Sequence, residues 1–334
     1  MQCSFLWSRP ALALAFALTS AALRAQAPST AEDAALDQQI QAIAAAHHGH
    51  VAVYAHHLKT GQTASLFPDL PVKTASTIKM GILLDAAEQI RSGHATLAER
   101  LVLTKPNQVE GSGVLGELTP PVALTLGDVL TLMVVLSDNT ATNVAIDRLG
   151  LAHIDDTLRA AGLQQTWLYK KVYVPATGPM PPDRPQFGLG KTTPREMASI
   201  MERFAECRLA LEPAAPSVPS DGPLCGTILN MLRHQQDRDS LPRYIESMDT
   251  SEHGSAVGNK TGALDQVRND VALVASKSGP IVIAAFTFDN ADQRWNGDNE
   301  GELTLAKLAS AIVKAWSPAG LDSQSIHWEN PLAP

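Results

Sequence analysis

Short β-rich runs lie near both ends of this chain, and most of what lies between them is patterned as helix. Residues 51–55 and 63–67 form the first group of runs, and residues 256–261, 271–276 and 281–288 form the second. Such runs, when they are split by turn residues, predict β-strands. The pattern therefore predicts an α+β fold, with one antiparallel five-stranded sheet built from both termini and a helical region inserted beside it.

Helix signals flank and separate these strands. Periodic apolar patterns predict helices over residues 31–46 and 302–316. Thr125 and Asp128 form a capping box, and Thr193-Pro194-Arg195-Glu196 has the same signature with proline in the first position. Residues 97–122 are patterned as irregular chain, and residues 167–191, which contain five prolines, predict a long ordered loop.

A hydroxyl and an amine lie three residues apart in Ser76-Thr77-Ile78-Lys79, just before an apolar run over residues 80–90. On a helix these positions share one face, with Cβ atoms about 5–6 Å apart, so Lys79 can reach the Ser76 hydroxyl. A lysine held neutral by burial can accept the serine proton. The alternative interpretation is an N-cap serine followed by a solvated lysine.

The N-terminal segment predicts export. Arg9 precedes an apolar stretch over residues 10–18, and small residues follow up to Ala27, which is typical of a secretory signal peptide cleaved after Ala27 or Ala25. Removal of residues 1–27 moves the formal charge from −8 to −10. We expect a secreted or periplasmic protein that binds no nucleic acid and has no membrane span.

Cysteine and histidine usage indicates no metal centre or cofactor. Cys3 leaves with the leader, while Cys207 and Cys225 flank a proline-rich connector and can form either a disulfide or two buried free thiols. No spaced Cys/His set is present. A histidine tract straddles a loop and a strand, and we interpret it as structural; it comprises His47, His48, His50, His56 and His57.

Three short motifs occur in chain order: Ser76-x-x-Lys79, Ser137-Asp138-Asn139 and Lys260-Thr261-Gly262. This trio is the one found in class A β-lactamases and penicillin-binding proteins. A second copy of the last motif, Lys59-Thr60-Gly61, precedes the serine and joins two predicted strands, so we interpret it as a hairpin turn.

With the corner that runs from Leu136 to Asn143 and the Thr192-Thr193-Pro194 helix start, the chain resembles the class A β-lactamase-like serine hydrolases over nearly its whole mature length. The resemblance implies a catalytic domain over residues 28–334. Its α/β lobe would comprise about residues 28–73 and 190–334, and its helical lobe about residues 74–189. It also implies a monomer that acts on a small β-lactam or a peptidoglycan peptide.

The resemblance implies a role for each matching residue. Ser76 would attack the amide carbonyl, Lys79 would take its proton, and Ser137 would relay a proton to the leaving nitrogen. The backbone N–H groups of Ser76 and Ala263 would form the oxyanion hole. The substrate itself would be bound by a further set: Asn139, Lys260, Thr261 and Gly262, with Arg268 either joining them or lying on the surface.

The long loop departs from the class A pattern. That pattern has a glutamate there, which positions the water that hydrolyses the acyl-enzyme, and counting back from Pro194 places it near Thr177. Residues 167–191 contain no glutamate, and their only carboxylate is Asp183, which is either a replacement base or a solvated turn acid. The expected function is a β-lactamase; the alternatives are a D-alanyl-D-alanine peptidase-like enzyme and a non-catalytic penicillin or peptidoglycan sensor.

Overall fold

The central sheet takes its strands from the two ends of the chain. The computed structural model describes residues 1–2, 31–178, 180–211, 216–249 and 254–331. The helices of this part of the chain are α1 Ala34–Ala45, α2 Lys79–Arg91, α3 Leu126–Val135, α4 Asn139–Leu149, α5 Leu151–Ala160, α6 Arg184–Phe187, α7 Pro194–Ala205, α8 Gly222–Arg233 and α9 Glu300–Trp316. Its strands are β1 Ala31–Glu32, β2 His50–His57, β3 Gln62–Leu66, β4 Val72–Lys73, β5 Arg100–Leu103, β6 Val122–Thr125, β7 Trp167–Leu168, β8 Gly190–Thr192, β9 Val257–Leu264, β10 Val267–Ser276 and β11 Gly279–Phe288.

Five antiparallel strands form the sheet in the order β3-β2-β11-β10-β9, which confirms the predicted fold class. The two-residue strand β1 extends the sheet next to β3 in the parallel sense, which the sequence did not predict. Strand β2, near the N-terminus, pairs with β11, near the C-terminus, with Tyr54 opposite Ala284. The join between the two ends of the chain therefore lies in the middle of the sheet.

Helices cover both faces of the sheet. Helices α1 and α9 pack together, and α9 also packs against β10 and β11. On the other face α7 packs against β2, β10 and β11. All ten residues of β10 are buried, because this strand is covered on both faces.

Helix α2 lies at the centre of the helical region and contacts α3, α4, α5 and α7. Most of its residues are buried, as expected for a helix that is apolar around most of its circumference. Asp85 is one of its buried polar residues, and its carboxylate accepts hydrogen bonds from Gln89 at 2.9 Å and Thr157 at 2.5 Å. These bonds fix the helix that follows Ser76.

Several local predictions can be compared directly with the structure. The first Lys-Thr-Gly copy lies in the turn between β2 and β3, where Gly61 has a φ of 75°. The stretch predicted to be irregular contains a two-stranded hairpin, β5 with β6. Cys207 and Cys225 form a disulfide with a Cα–Cα distance of 5.6 Å.

The predicted signal peptide lies almost entirely outside the described residues. Within those residues, no helix combines the length and apolar character that crossing a bilayer requires. The histidines of the tract have separate partners, such as Glu202 for His56 and Ser278 for His57. No group of three or more His, Cys, Asp or Glu residues in the described ranges could hold a metal ion.

Candidate active site

Ser76 lies in a single 3₁₀ turn, Ala75–Ile78, that leads directly into α2. The preceding residue, Ala75, has a φ of 45°, a left-handed conformation that costs a residue with a Cβ on the order of 1 kcal/mol or more. Thr77 closes the turn, because both its backbone N–H and its hydroxyl donate to the Thr74 carbonyl. The turn presents the partly exposed Ser76 to a cleft of about 980 Å³.

The Lys79 amine lies beneath the cleft and is completely buried. It donates to the Ser137 carbonyl at 2.6 Å, the Ser137 hydroxyl at 3.0 Å and the Asn139 side-chain oxygen at 3.2 Å. Burial lowers the Lys79 pKa well below its ordinary value, and the nearby Lys260 charge lowers it further. Because the amine bonds to Ser137 and Asn139, proton transfer from Ser76 requires it to turn toward that hydroxyl.

Ser137 occupies the corner between α3 and α4 with a φ of 53°. Its hydroxyl oxygen accepts from two lysines, Lys79 at 3.0 Å and Lys260 at 3.0 Å. A serine hydroxyl has two acceptor lone pairs and one proton. With both lone pairs occupied by lysine N–H groups, the remaining Ser137 O–H is free to point into the cleft as a proton donor.

Asp138 fixes the loop across the cleft, a role the sequence reasoning did not assign. One carboxylate oxygen accepts from Ala141 N at 2.8 Å and caps α4, and the other accepts from Val114 N and Leu115 N at 2.7 and 2.8 Å. A Cβ on Gly113 would lie 2.2 Å from this carboxylate, so the loop needs glycine there. These bonds hold the loop in place.

Strand β9 forms the facing wall of the site. It is an edge strand of the sheet, and its Gly262 packs flush against the turn that carries Ser76. A Cβ on Gly262 would lie 2.8 Å from Ser76 N and 2.9 Å from Thr74 O. Glycine therefore allows β9 to bring Thr261 and Ala263 beside the Ser76 turn, where both line the cleft.

Lys260 of this strand is completely buried and donates to its own neighbour, the Thr261 carbonyl, at 2.7 Å. Burial lowers its pKa to about 8, while the negative charges of Asp237 and Asp270 act in the opposite direction. Asp270 lies on β10 behind this strand, and burial raises its pKa to about 6. The site therefore has two buried lysines, and burial lowers the pKa of both.

Most of the chain matches the model of a known protein family. The family model of the beta-lactamase enzyme family matches residues 35–316. The chain belongs to this family. No curated protein sequence matches the chain.

Solved structures share the fold. A beta-lactamase from Sphaerobacter thermophilus superposes with a TM-score of 0.70 at 28% identity, covering 83% of this chain and 96% of that one. PBP-A gives a TM-score of 0.69 at 24% identity, with coverages of 86% and 98%. An ancestral class A beta-lactamase gives 0.69 at 20% identity, with coverages of 84% and 99%.

Two residues singled out in the sequence lie away from the cleft of this beta-lactamase family member. Arg268 is buried, forms an ion pair with Glu302 at 3.1 Å and donates to the backbone carbonyls of Leu264, Val267 and Arg294. Its guanidinium carbon lies 4.7 Å from the centre of the Trp295 ring, and Trp295 itself lines the cleft. The structure thus places Arg268 behind Trp295, where it does not face a substrate carboxylate.

The carboxylate of Asp183 forms its hydrogen bonds within its own loop. Its carboxylate accepts from Lys191 at 2.6 Å and from the Tyr169 hydroxyl at 3.2 Å, and it does not line the cleft. The hydrogen bond from Lys191 lowers the Asp183 pKa below its ordinary value. A carboxylate with a lowered pKa is a weaker base, so this geometry favours the turn-acid interpretation.

The loop residue held against α4 is Val172 rather than a residue near Thr177. The Asn143 side chain donates to the Val172 carbonyl at 3.0 Å and accepts from its N–H at 2.8 Å. Val172 lines the cleft, and the other lining residues of this loop are Lys170, Tyr173 and residues 185–189, none of which has a carboxylate. Asn143 lies within the motif corner, but its position in the sequence gives no sign of this contact.

Proposed function

We propose that this protein is an exported serine hydrolase that forms an acyl-enzyme through Ser76 and opens the amide of β-lactams. The observation that supports this most directly is the convergence of Lys79 and Lys260 on the Ser137 hydroxyl, beside the partly exposed Ser76. One strongly depressed lysine pKa and one near neutrality give the site both a base and a proton donor.

The proposed reaction begins when Lys79, in its neutral form, takes the Ser76 proton. The Ser76 oxygen attacks the amide carbonyl, and the resulting oxyanion lies between the N–H groups of Ser76 and Ala263. The carbon–nitrogen bond then breaks as Ser137 delivers a proton to the leaving nitrogen and recovers one from the lysines. Water later hydrolyses the Ser76 ester and frees the enzyme.

Substrate binding in this proposal uses the remaining site residues. Lys260 and Thr261 hold the substrate carboxylate, Gly262 permits the close approach of β9, and Asn139 contacts the acyl amide. No cofactor takes part. We further propose that residues 1–27 direct export, that residues 28–334 form the mature catalytic domain, with the lobes divided near residues 73 and 190, and that it acts as a monomer. A disulfide between Cys207 and Cys225 is in keeping with an oxidising compartment.

A second candidate function is supported by one absence: in the long loop of residues 167–191, none of the described residues that line the cleft has a carboxylate. Loss of a positioned general base typically costs about 10² to 10⁴ in rate, so acylation can be fast while deacylation is slow. The protein would then be a D-alanyl-D-alanine peptidase-like enzyme or a sensor that β-lactams acylate persistently.

One experiment tests the proposal and separates the two candidates. Nitrocefin is mixed with the mature protein, and the burst of product is compared with steady turnover while intact mass reports the adduct. Continued turnover supports the β-lactamase. One equivalent released and then nothing supports the second candidate. Ser76→Ala should abolish the benzylpenicillin adduct; an adduct that persists in this variant would remove Ser76 as the nucleophile.

A further inference from the structure

Two lysines of the cleft wall have no protein partner among the described residues. The side chains of Lys73 and Lys170 are partly exposed and line the cleft, and neither amine has a hydrogen bond or an ion pair there. Their neighbours differ. Lys171 pairs with Asp147 at 2.8 Å, and Lys191 pairs with Asp183 at 2.6 Å. Asp147 and Asp183 are thus already engaged in ion pairs, and Lys73 and Lys170 line the cleft without an acidic partner among the described residues.

The backbone holds both lysines on the same wall. Strands β4, β8 and β7 form a small sheet in that order, with Lys73 directly opposite Lys191. The backbone bond from Tyr169 N to Leu189 O continues the pairing of β7 with the loop, and Lys170 follows immediately. Asn269 of β10 donates to the Lys73 carbonyl at 2.8 Å, just before the Ser76 turn. Neither lysine is on a freely moving tail.

Like charges that face each other across strands are destabilising, and Lys73 lies opposite Lys191. Asp183 neutralises the charge of Lys191 through an ion pair, whereas the charge of Lys73 can attract an anion bound in the cleft. The acids that do line the cleft, Asp237 and Asp265, belong to the loop after α8 and to the turn that ends β9. An anion in the cleft is attracted to the lysine wall and repelled from the aspartates.

We propose that Lys73 and Lys170 form a second anion subsite, which selects acyl donors that carry a carboxylate in their acyl part. This inference rests on the proposed function, in which Lys260 and Thr261 take the carboxylate of the leaving part. The preferred substrate is therefore a dicarboxylate. An α-carboxylated penicillin and a peptide with a free acyl carboxylate share this chemistry.

The test compares two penicillins that differ by one carboxylate. Second-order rate constants for acylation are measured with carbenicillin and with benzylpenicillin, and their ratio is compared between the wild type and the double variant Lys73→Gln/Lys170→Gln. Lys307→Gln, on the exposed side of α9, is the matched control for loss of a lysine charge. Circular dichroism and thermal unfolding establish that the variants are folded.

The expected result is a fall in the ratio of about 3- to 10-fold in the double variant, as for one or two partly screened charge pairs, and no change in the Lys307 control. In the wild type the ratio should also fall as salt is raised, because screening weakens exposed charge pairs. If the carbenicillin-to-benzylpenicillin ratio of the double variant at low salt stays within about twofold of the wild-type ratio, the subsite is overturned.

A second pair distinguishes the source of the carboxylate. Succinyl-D-alanyl-D-alanine and its succinyl methyl ester are compared by release of D-alanine from wild type and double variant. If the wild type prefers the free succinyl acid to its methyl ester and the double variant does not, the result supports a peptide substrate. If the lysines affect only the ratio of the two penicillins, the result supports a β-lactam substrate. Failure of both penicillins to acylate Ser76 in the wild type would refute the proposed function, and the subsite with it. Acylation with an unchanged ratio refutes the subsite alone.

Discussion

Substitution of Gly262 by alanine should slow acylation without unfolding the protein. The added Cβ would lie 2.8 Å from Ser76 N, whereas ordinary van der Waals contact begins at 3.4 Å, so β9 and the Ser76 turn must separate by at least about 0.6 Å. A misplacement of about 1 Å at a reacting centre can cost about 100-fold in rate. We therefore expect a 10- to 100-fold loss, equivalent to about 1.4–2.7 kcal/mol of transition-state stabilisation.

The assay is the second-order rate constant for acylation by benzylpenicillin, followed by intact mass, with thermal unfolding measured in parallel. Gly127→Ala is a suitable control because its Cβ would meet Leu97 O at 3.3 Å, far from the cleft. The control should acylate at the wild-type rate. If folded Gly262→Ala acylates within threefold of wild type, then close packing of β9 against the Ser76 turn does not set the reaction geometry.

Four further predictions concern single groups. Val172→Glu, which places a carboxylate on the cleft wall, should shorten the acyl-enzyme lifetime at least tenfold, and the uncharged Val172→Gln should not; equal lifetimes would contradict the idea that a missing loop carboxylate limits deacylation. Asp183→Asn should leave turnover within about threefold, and a hundredfold loss would make Asp183 the deacylating base. Because the Lys260 pKa is about 8, the ammonium is present below pH 8 and lost above it, so the KM for a carboxylate substrate should rise as pH passes through 8; a flat KM profile from pH 7 to 9 would exclude Lys260 as its partner. Replacing Cys207 and Cys225 by serine opens a link between positions separated by 18 residues and should lower the free energy of unfolding by about 2–4 kcal/mol in denaturant titrations, and an unchanged midpoint would argue against a stabilising disulfide.

The sequence predicted the sheet and the one-turn spacing of Ser76 and Lys79 because both depend on local patterns, whereas the joining of the three motifs in one site was implied by the family resemblance alone. Ser76 and Lys79 are one turn apart in any helix-like segment, and the β-rich runs alternate with turn residues that mark their ends. The conformations of Ala75 and Ser137 could not be predicted in this way. Their left-handed φ angles are imposed by the elements packed around them and carry no local residue signal.

Other features depended on contacts that sequence spacing does not reveal. Counting residues along the long loop gave no sign that the Asn143 side chain holds the loop at Val172. The sequence left Arg268 as either a substrate contact or a surface arginine, but its side chain is buried and pairs with Glu302 behind Trp295. The direction of a long side chain is set by the charges and carbonyls that surround it, and these come from distant parts of the chain.

The pairing of β2 with β11 has a consequence for how this protein acquires its shape. Tyr54 and Ala284 are neighbours in the sheet yet about 230 positions apart in the chain, a separation that makes strand pairing slow. The sheet cannot be completed until almost the whole polypeptide is available. A nascent chain would stay open for most of its synthesis, as the proposed export across a membrane requires.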